Sequence, residues 1–273
     1  LENVVFTGSL ETAKIIQRNL AQHPKVINLI AETGGLNCLI ADSSALTEQV
    51  VRDVVQSSFN SAGQRCSACR ILLIEENVYA KTLDMLKGAM DCLVVGHPLE
   101  LKTDMSAVID QEAFDTIQSH LQQYPQRYQP LLPSSLQGYY IPPTLIEISS
   151  LEQMTREVFG PVLHICPYQS HNLKSLCEGI NQLGFGLTLG IHSRIDSVIN
   201  TVTKTCKVGN IYINRNIVGA VVGVQPFGGQ GFSGTGPKAG GPEYLSRLCH
   251  EYSVSNNTTA MGGNATLLTS ITD

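Results

Sequence analysis

Val26-Ile27-Asn28-Leu29-Ile30-Ala31-Glu32-Thr33-Gly34-Gly35 is an apolar run that ends on a carboxylate followed by two glycines. Its first six residues read as a buried strand, and Thr33-Gly34-Gly35 reads as the turn that ends it. Upstream, Val4-Val5-Phe6 is a shorter apolar strand closed by the turn Thr7-Gly8-Ser9. Between the two, Leu10, Ala13, Ile16 and Leu20 share one face of a helix over about 10–21, and His23-Pro24 breaks it. Ser9 predicts the N-cap. Thr12 stands where a capping box would place an acid, so the cap rests on Ser9 alone. Strand, helix and strand make one βαβ unit, which requires parallel pairing.

The same alternation continues downstream. Strands are predicted at 38–41, 70–74, 144–148, 162–168, 187–192 and 209–214, with an extended piece at 105–108. Helices are predicted over 46–60, 78–91, 111–122, 173–182 and 195–206. The Pro- and Tyr-rich stretch 124–143 reads as loop and hairpin surface, and glycine becomes dense from Gly219 to Gly241. The expected class is α/β with a largely parallel sheet.

Composition excludes several roles. The 273 residues are 42 % hydrophobic and 15 % charged, enough for a sizeable core. A net charge of −5 without a basic cluster argues against nucleic acid as the main partner. No apolar run reaches the ~18–20 residues of a membrane span. The opening Leu1-Glu2-Asn3 has no signal-peptide pattern and leads straight into a strand, so a fragment of a longer chain is expected. Eight cysteines (38, 66, 69, 92, 166, 177, 206, 249) lack framework spacing. They read as reduced, mostly buried thiols of a cytoplasmic protein.

Two residues stand apart. Cys66 lies in the small, polar segment Gly63-Gln64-Arg65-Cys66-Ser67-Ala68, which is expected to leave the thiol accessible beside a guanidinium. Positive charge nearby lowers a thiol pKa, and a thiolate can add to a carbonyl carbon. Cys69 completes a C-x-x-C, so a redox pair and a plain core thiol stay open as readings of the same residues. Glu32 ends an apolar strand, where α/β sheets bind ligands and where a carboxylate gains a raised pKa suited to general-base work. A solvated turn acid is its bland alternative.

Five segments in order carry more than any one alone: Phe6-Thr7-Gly8-Ser9, Glu32-Thr33-Gly34-Gly35, Gly63-Gln64-Arg65-Cys66, Glu157-Val158-Phe159-Gly160-Pro161-Val162, and Pro226-Phe227-Gly228-Gly229 with Ser233-Gly234. Glu32 and Cys66 are 34 residues apart. The series resembles the aldehyde dehydrogenase superfamily from end to end. The resemblance implies an aldehyde dehydrogenase-like α/β fold, a remnant of a Rossmann-type NAD-binding domain plus an α/β catalytic domain. The expected bounds are 1–32 for the end of the NAD-binding domain, 33–235 for the catalytic domain, and 236–273 for an oligomerisation or interdomain segment.

It implies Cys66 as nucleophile and Glu32 as general base. Thr7, Gly8 and Ser9 would meet the NAD pyrophosphate at a helix N-terminus. Glu157 would bind the nicotinamide ribose, Phe159 would pack near that ring, and Phe227 would line the aldehyde channel. Read without the family, Glu157 is an exposed helix-end acid and Phe227 a core residue. The run Asn214-Arg215-Asn216-Ile217-Val218-Gly219-Ala220-Val221-Val222-Gly223-Val224-Gln225-Pro226 resembles glutamate-γ-semialdehyde dehydrogenases, above all the catalytic module of bifunctional proline-utilisation proteins. The tail Asn257-Thr258-Thr259-Ala260-Met261-Gly262-Gly263-Asn264-Ala265 does likewise. By that likeness Ser67, Gly219 and Ala220 hold the α-carboxylate of the aldehyde substrate, and Cys69 replaces an aliphatic residue behind the nucleophile.

Family chains carry a further part before the position of Leu1. It includes the first half of the dinucleotide-binding domain and an oxyanion-hole asparagine, a donor worth ~2.7–4 kcal/mol in such sites. The expectation is a poor catalyst in isolation and a homodimeric, cytoplasmic parent, with peripheral membrane association left open. FAD would enter only with a proline dehydrogenase module upstream, outside this chain. Two rivals remain: a cysteine acyl-hydrolase needing no NAD, and a non-catalytic assembly fragment.

Overall fold

β1 (Asn3–Thr7) and β2 (Asn28–Glu32) pair in parallel, Asn3 opposite Asn28 and Thr7 opposite Glu32, with α1 (Leu10–Ala21) as their crossover. In this computed structural model, residues 1–221, 223–257 and 270 are described. Ser9 caps α1 as expected. Its Oγ accepts the Thr12 N–H at 3.1 Å and donates to the Thr12 hydroxyl, so threonine takes part where an acid would.

The two strands form a sheet of their own. From Glu32 the chain passes through Thr33–Leu36 into β3 (Asn37–Ala41), an inner strand of a second sheet. Among the described residues that sheet has six strands in the order β5-β6-β4-β3-β8-β9, all parallel. They are β4 (Cys69–Glu75), β5 (Thr144–Glu147), β6 (Val162–Tyr168), β8 (Thr188–His192) and β9 (Asn210–Ile213) besides β3. Every residue of β3, β4 and β8 is buried. Such strands read as continuous apolar runs because helices cover both faces of a parallel sheet. α2 (Thr47–Phe59) and α3 (Glu76–Asp91) pack on each other and over β4 and β6. α5 (Leu173–Gln182) packs on α6 (Asp196–Thr205), and α4 (Gln111–Gln122) buries Ile117, His120 and Leu121.

Where hydrophobic periodicity is strong, the expected bounds agree with the structure: α1, α4, α5 and β6 match to the residue. Two expectations need correction, and two short strands were not expected. The extended piece at 105–108 is a single bridge, Met105 with Val95. In the 124–143 stretch one antiparallel bridge, Tyr128 to Leu145, replaces a hairpin. The two-residue strands β7 (Phe185–Gly186) and β10 (Gln230–Gly231) pair antiparallel and are too short to leave a periodic signal. Cysteines 38, 69, 166, 177 and 206 are buried, whereas Cys92 and Cys249 are exposed, against the general expectation of core thiols. Among the described residues no helix is long and apolar enough to cross a membrane.

Candidate active site

Glu32 closes β2 at its carboxyl end, while Cys66 precedes β4 at its amino end. The seam between the small sheet and the large one therefore brings them together. The glycine-rich segment seals it. Ser233–Thr235 runs antiparallel to the end of β2, with Thr33 N–H donating to Ser233 O at 3.0 Å and Thr235 N–H to Ala31 O at 2.9 Å. The Gly229 N–H donates to Glu32 Oε2 at 3.2 Å, and Oε1 is buried without a partner among the described residues. A Cβ on Gly228 would stand 2.6 Å from Glu32 Oε1, so only glycine lets this backbone approach the carboxylate. Burial dominates and pushes the Glu32 pKa up to about 7, with the Gly229 N–H and the Lys238 charge opposing it. A carboxylate that titrates near neutrality can take and return a proton at physiological pH.

The loop before Cys66 is conformationally unusual. Ser61, Ala62 and Gly63 all have positive φ, at 57°, 52° and 66°, a cost that two non-glycine residues bear only when surroundings over-determine them. Arg70 supplies that constraint. It is 1 % exposed and donates through Nη1 to Gly63 O (2.7 Å) and Gly160 O (3.1 Å), and through Nη2 to Arg65 O (3.0 Å). Nη2 and Nε also reach Glu157 Oε1, at 3.0 and 3.3 Å. The guanidinium has five N–H groups, and these contacts occupy the whole fork. Sequence reading passed over Arg70, although a charge opening the apolar run Ile71–Ile74 was the available signal.

Glu157 is thus an interior ion-pair partner, not an exposed helix-end acid. Its Oε2 accepts the Gly35 N–H at 3.1 Å, and a Cβ on Gly34 would collide with the same oxygen. Burial raises its pKa, though Arg70 and the Gly35 N–H pull it down. Phe159 is 45 % exposed, with the Arg70 guanidinium 5.2 Å from its ring centroid.

The expected activation of Cys66 by Arg65 is overturned. Arg65 Nε turns back to Ser61 Oγ at 3.0 Å, and the Cys66 thiol is half-buried. Burial first, then the Glu157 and Glu32 charges, push its pKa up, while the Ser67 and Cys66 backbone N–H groups pull it down. The sulfur therefore faces both carboxylates and rests as a thiol. Cys69 is sealed in β4 at 0 % exposure, its pKa pushed up to about 12 by burial.

The remaining expected residues are dispersed. Thr7, Gly8 and Ser9 lie exposed at the start of α1, and no acceptor among the described residues meets the Leu10 or Glu11 amide. An anion fits such an end. Ser67 is buried; Gly219 is exposed at φ +75°, and Ala220 is half-buried. Neither the Gly219 nor the Ala220 amide meets an acceptor among the described residues, and no hydrogen bond links them to Ser67. Phe227 is half-buried and pairs through its backbone with Ala239. Val222 and residues 258–265 of the tail motif lie outside the described residues.

A model of the Aldehyde dehydrogenase family matches residues 1–254. The chain is 53 % identical over 262 residues to the Bifunctional protein PutA of Klebsiella aerogenes, covering 91 % of this chain and 20 % of that protein. It superposes on a crystal structure of Bradyrhizobium japonicum Proline Utilization A with a TM-score of 0.91 at 47 % identity, covering 96 % of this chain and 27 % of that one. A 1-pyrroline-5-carboxylate dehydrogenase from Thermus, solved with bound NAD, gives a TM-score of 0.82 at 31 % identity, covering 90 % and 49 %. The chain spans about a fifth of the first curated relatives it matches, and over that span it belongs to the aldehyde dehydrogenase family.

Proposed function

We propose that this chain supplies the nucleophile and the general base of an NAD-dependent dehydrogenase that oxidises L-glutamate γ-semialdehyde to L-glutamate. What supports the reading is the seam itself, where burial holds Glu32 near pKa 7 and its charge reaches the half-buried Cys66 thiol. The relatives named for proline utilisation and 1-pyrroline-5-carboxylate support the substrate class. Residues 1–32 would close an NAD-binding domain, 33–235 would be the catalytic domain, and 236–273 would serve assembly of a homodimer. Of that last segment, 258–269 and 271–273 lie outside the described residues.

The residues fit the cofactor. The exposed start of α1 offers amides to a pyrophosphate, and Glu157 would accept a ribose hydroxyl in place of one of its protein donors. NAD, when bound, supplies the hydride acceptor. Cys66 sulfur would bond to the aldehyde carbon as its proton leaves to a base and the C=O π pair moves to oxygen, giving a thiohemiacetal oxyanion; as hydride leaves that carbon the oxygen pair re-forms C=O, and a thioester remains on Cys66. Glu32, ionised above about pH 7, then takes a proton from water. The hydroxide formed attacks the thioester carbon, the C–S bond breaks, and the acid departs. Phe159 and Phe227 would bound the space beside the sulfur. The acyl-hydrolase reading needs no NAD, and the similar dehydrogenase solved with bound NAD favours the dehydrogenase.

If Ser67, Gly219 and Ala220 hold the substrate carboxylate, a neutral aldehyde loses charge-assisted hydrogen bonds worth ~1.5–3 kcal/mol each. In a full-length protein carrying this chain, kcat/KM for glutamate semialdehyde then exceeds that for pentanal by at least about tenfold. Ala220→Pro, which removes one N–H, narrows the ratio, and Ala220→Ser preserves it. Equal values for the two aldehydes would leave the dehydrogenase reading standing and remove the carboxylate anchor.

A further inference from the structure

Asn37 opens β3 where the ladder to β4 is irregular: Asn37 stands opposite Cys69, but Cys38 stands opposite Ile71. Its side chain spans this break. Nδ2 donates to Cys66 O at 2.7 Å and to Ala68 O at 2.9 Å, while Oδ1 accepts the Thr188 N–H from β8 at 3.1 Å. The amide is buried and cannot be flipped without setting an oxygen against two carbonyls. A trans peptide is planar, with its C=O and N–H on opposite sides. Holding the Cys66 carbonyl against Asn37 therefore sends the N–H of the same peptide unit, that of Ser67, towards the other side.

We infer that Asn37 is a positioning residue that fixes the Cys66–Ser67 peptide plane and aims the Ser67 N–H at the Cys66 sulfur. The inference rests on Cys66 being the nucleophile and deepens that reading. The Ser67 N–H does favour the thiolate, against burial and the two charged groups that face the sulfur, Glu157 from the loop before β6 and Glu32 from β2.

The chain carries its own controls. Iodoacetamide alkylation is followed at each cysteine by peptide mapping between pH 7.5 and 9, in the wild-type chain and in Asn37→Leu and Asn37→Ser, both of which remove the donor without adding charge. Exposed Cys92 and Cys249 report the reagent, and buried Cys38, Cys69 and Cys177 report the fold. Below its pKa a thiol reacts in proportion to its thiolate fraction, so a pKa one unit higher slows it about tenfold at every pH. Loss of the aimed N–H slows Cys66 about tenfold while Cys92 and Cys249 are unchanged. A merely structural role predicts the opposite sign, since a loosened loop relieves burial, lowers the pKa and speeds labelling. Equal or faster Cys66 labelling with the buried thiols protected overturns the inference. Should Asn37→Leu expose the buried thiols, the polar change Asn37→Ser decides by the same comparison. Neither outcome requires turnover, so failure here is distinct from failure of the dehydrogenase reading, which Cys66→Ala tests by loss of activity.

Discussion

Glu32→Gln in a full-length protein carrying this chain slows thioester hydrolysis by ~10²–10⁴ while leaving acylation comparatively intact. Pre-steady-state kinetics then show a burst of NADH followed by slow turnover, and an unchanged steady-state rate removes Glu32 from the mechanism. The same substitution has a stability signature in the chain itself. The folded-state pKa of Glu32 lies at about 7, above the ordinary 4.5, because of burial. The folded chain therefore binds this proton more tightly than the unfolded chain. The resulting advantage is fully present below about pH 4.5 and is lost as pH rises through about 7. Glutamine has no such loss. The Tm of the variant minus that of the wild type should rise between pH 5 and 8 and then level off. A difference that stays flat over this range would show that the carboxylate is not desolvated.

Arg70→Met is expected to produce the largest loss of stability. Removing one partner of a buried pair strands the other, at a cost of ~3–5 kcal/mol. Here the stranded group is Glu157, and three carbonyls lose donors with it. Lys102→Ala offers the contrast, because its pair with Glu100 is exposed on both sides and such pairs contribute ~0–1 kcal/mol. Urea midpoints at constant m-value compare the two. A loss below about 1 kcal/mol for Arg70→Met would mean that the left-handed run Ser61–Gly63 is held by something other than the guanidinium. Because the Arg70 charge lowers the Glu157 pKa, the variant also moves Glu157 further towards its neutral form.

Both experiments probe contacts of different sequence range. The βαβ unit at the start of the chain was legible because its signals are local: two apolar runs, a one-sided helix and a serine cap within 32 residues. The same locality explains why α1, α4, α5 and β6 match their expected bounds. The order of five short motifs carried the family and singled out Cys66 and Glu32 as candidate nucleophile and base. What surrounds those two residues was not legible. Arg65 stands next to Cys66 in sequence, yet its guanidinium turns back to Ser61, and the charges that act on the sulfur belong to Glu32 and Glu157. The Gly229 N–H on Glu32 comes from 197 residues away, and Arg70 meets Glu157 across 87. Hydrophobic periodicity records which side of an element is buried. It holds no record of which distant donor fills a buried carboxylate's lone pair. The sequence by itself determined most of the elements and the parallel character of the sheet, and it nominated Cys66 and Glu32 as nucleophile and base. The tertiary structure alone decided that the carboxyl end of β2 faces the amino end of β4. Only that juxtaposition brings Cys66 and Glu32 together, because desolvation and Coulomb interaction depend on distance in space and not on separation along the chain.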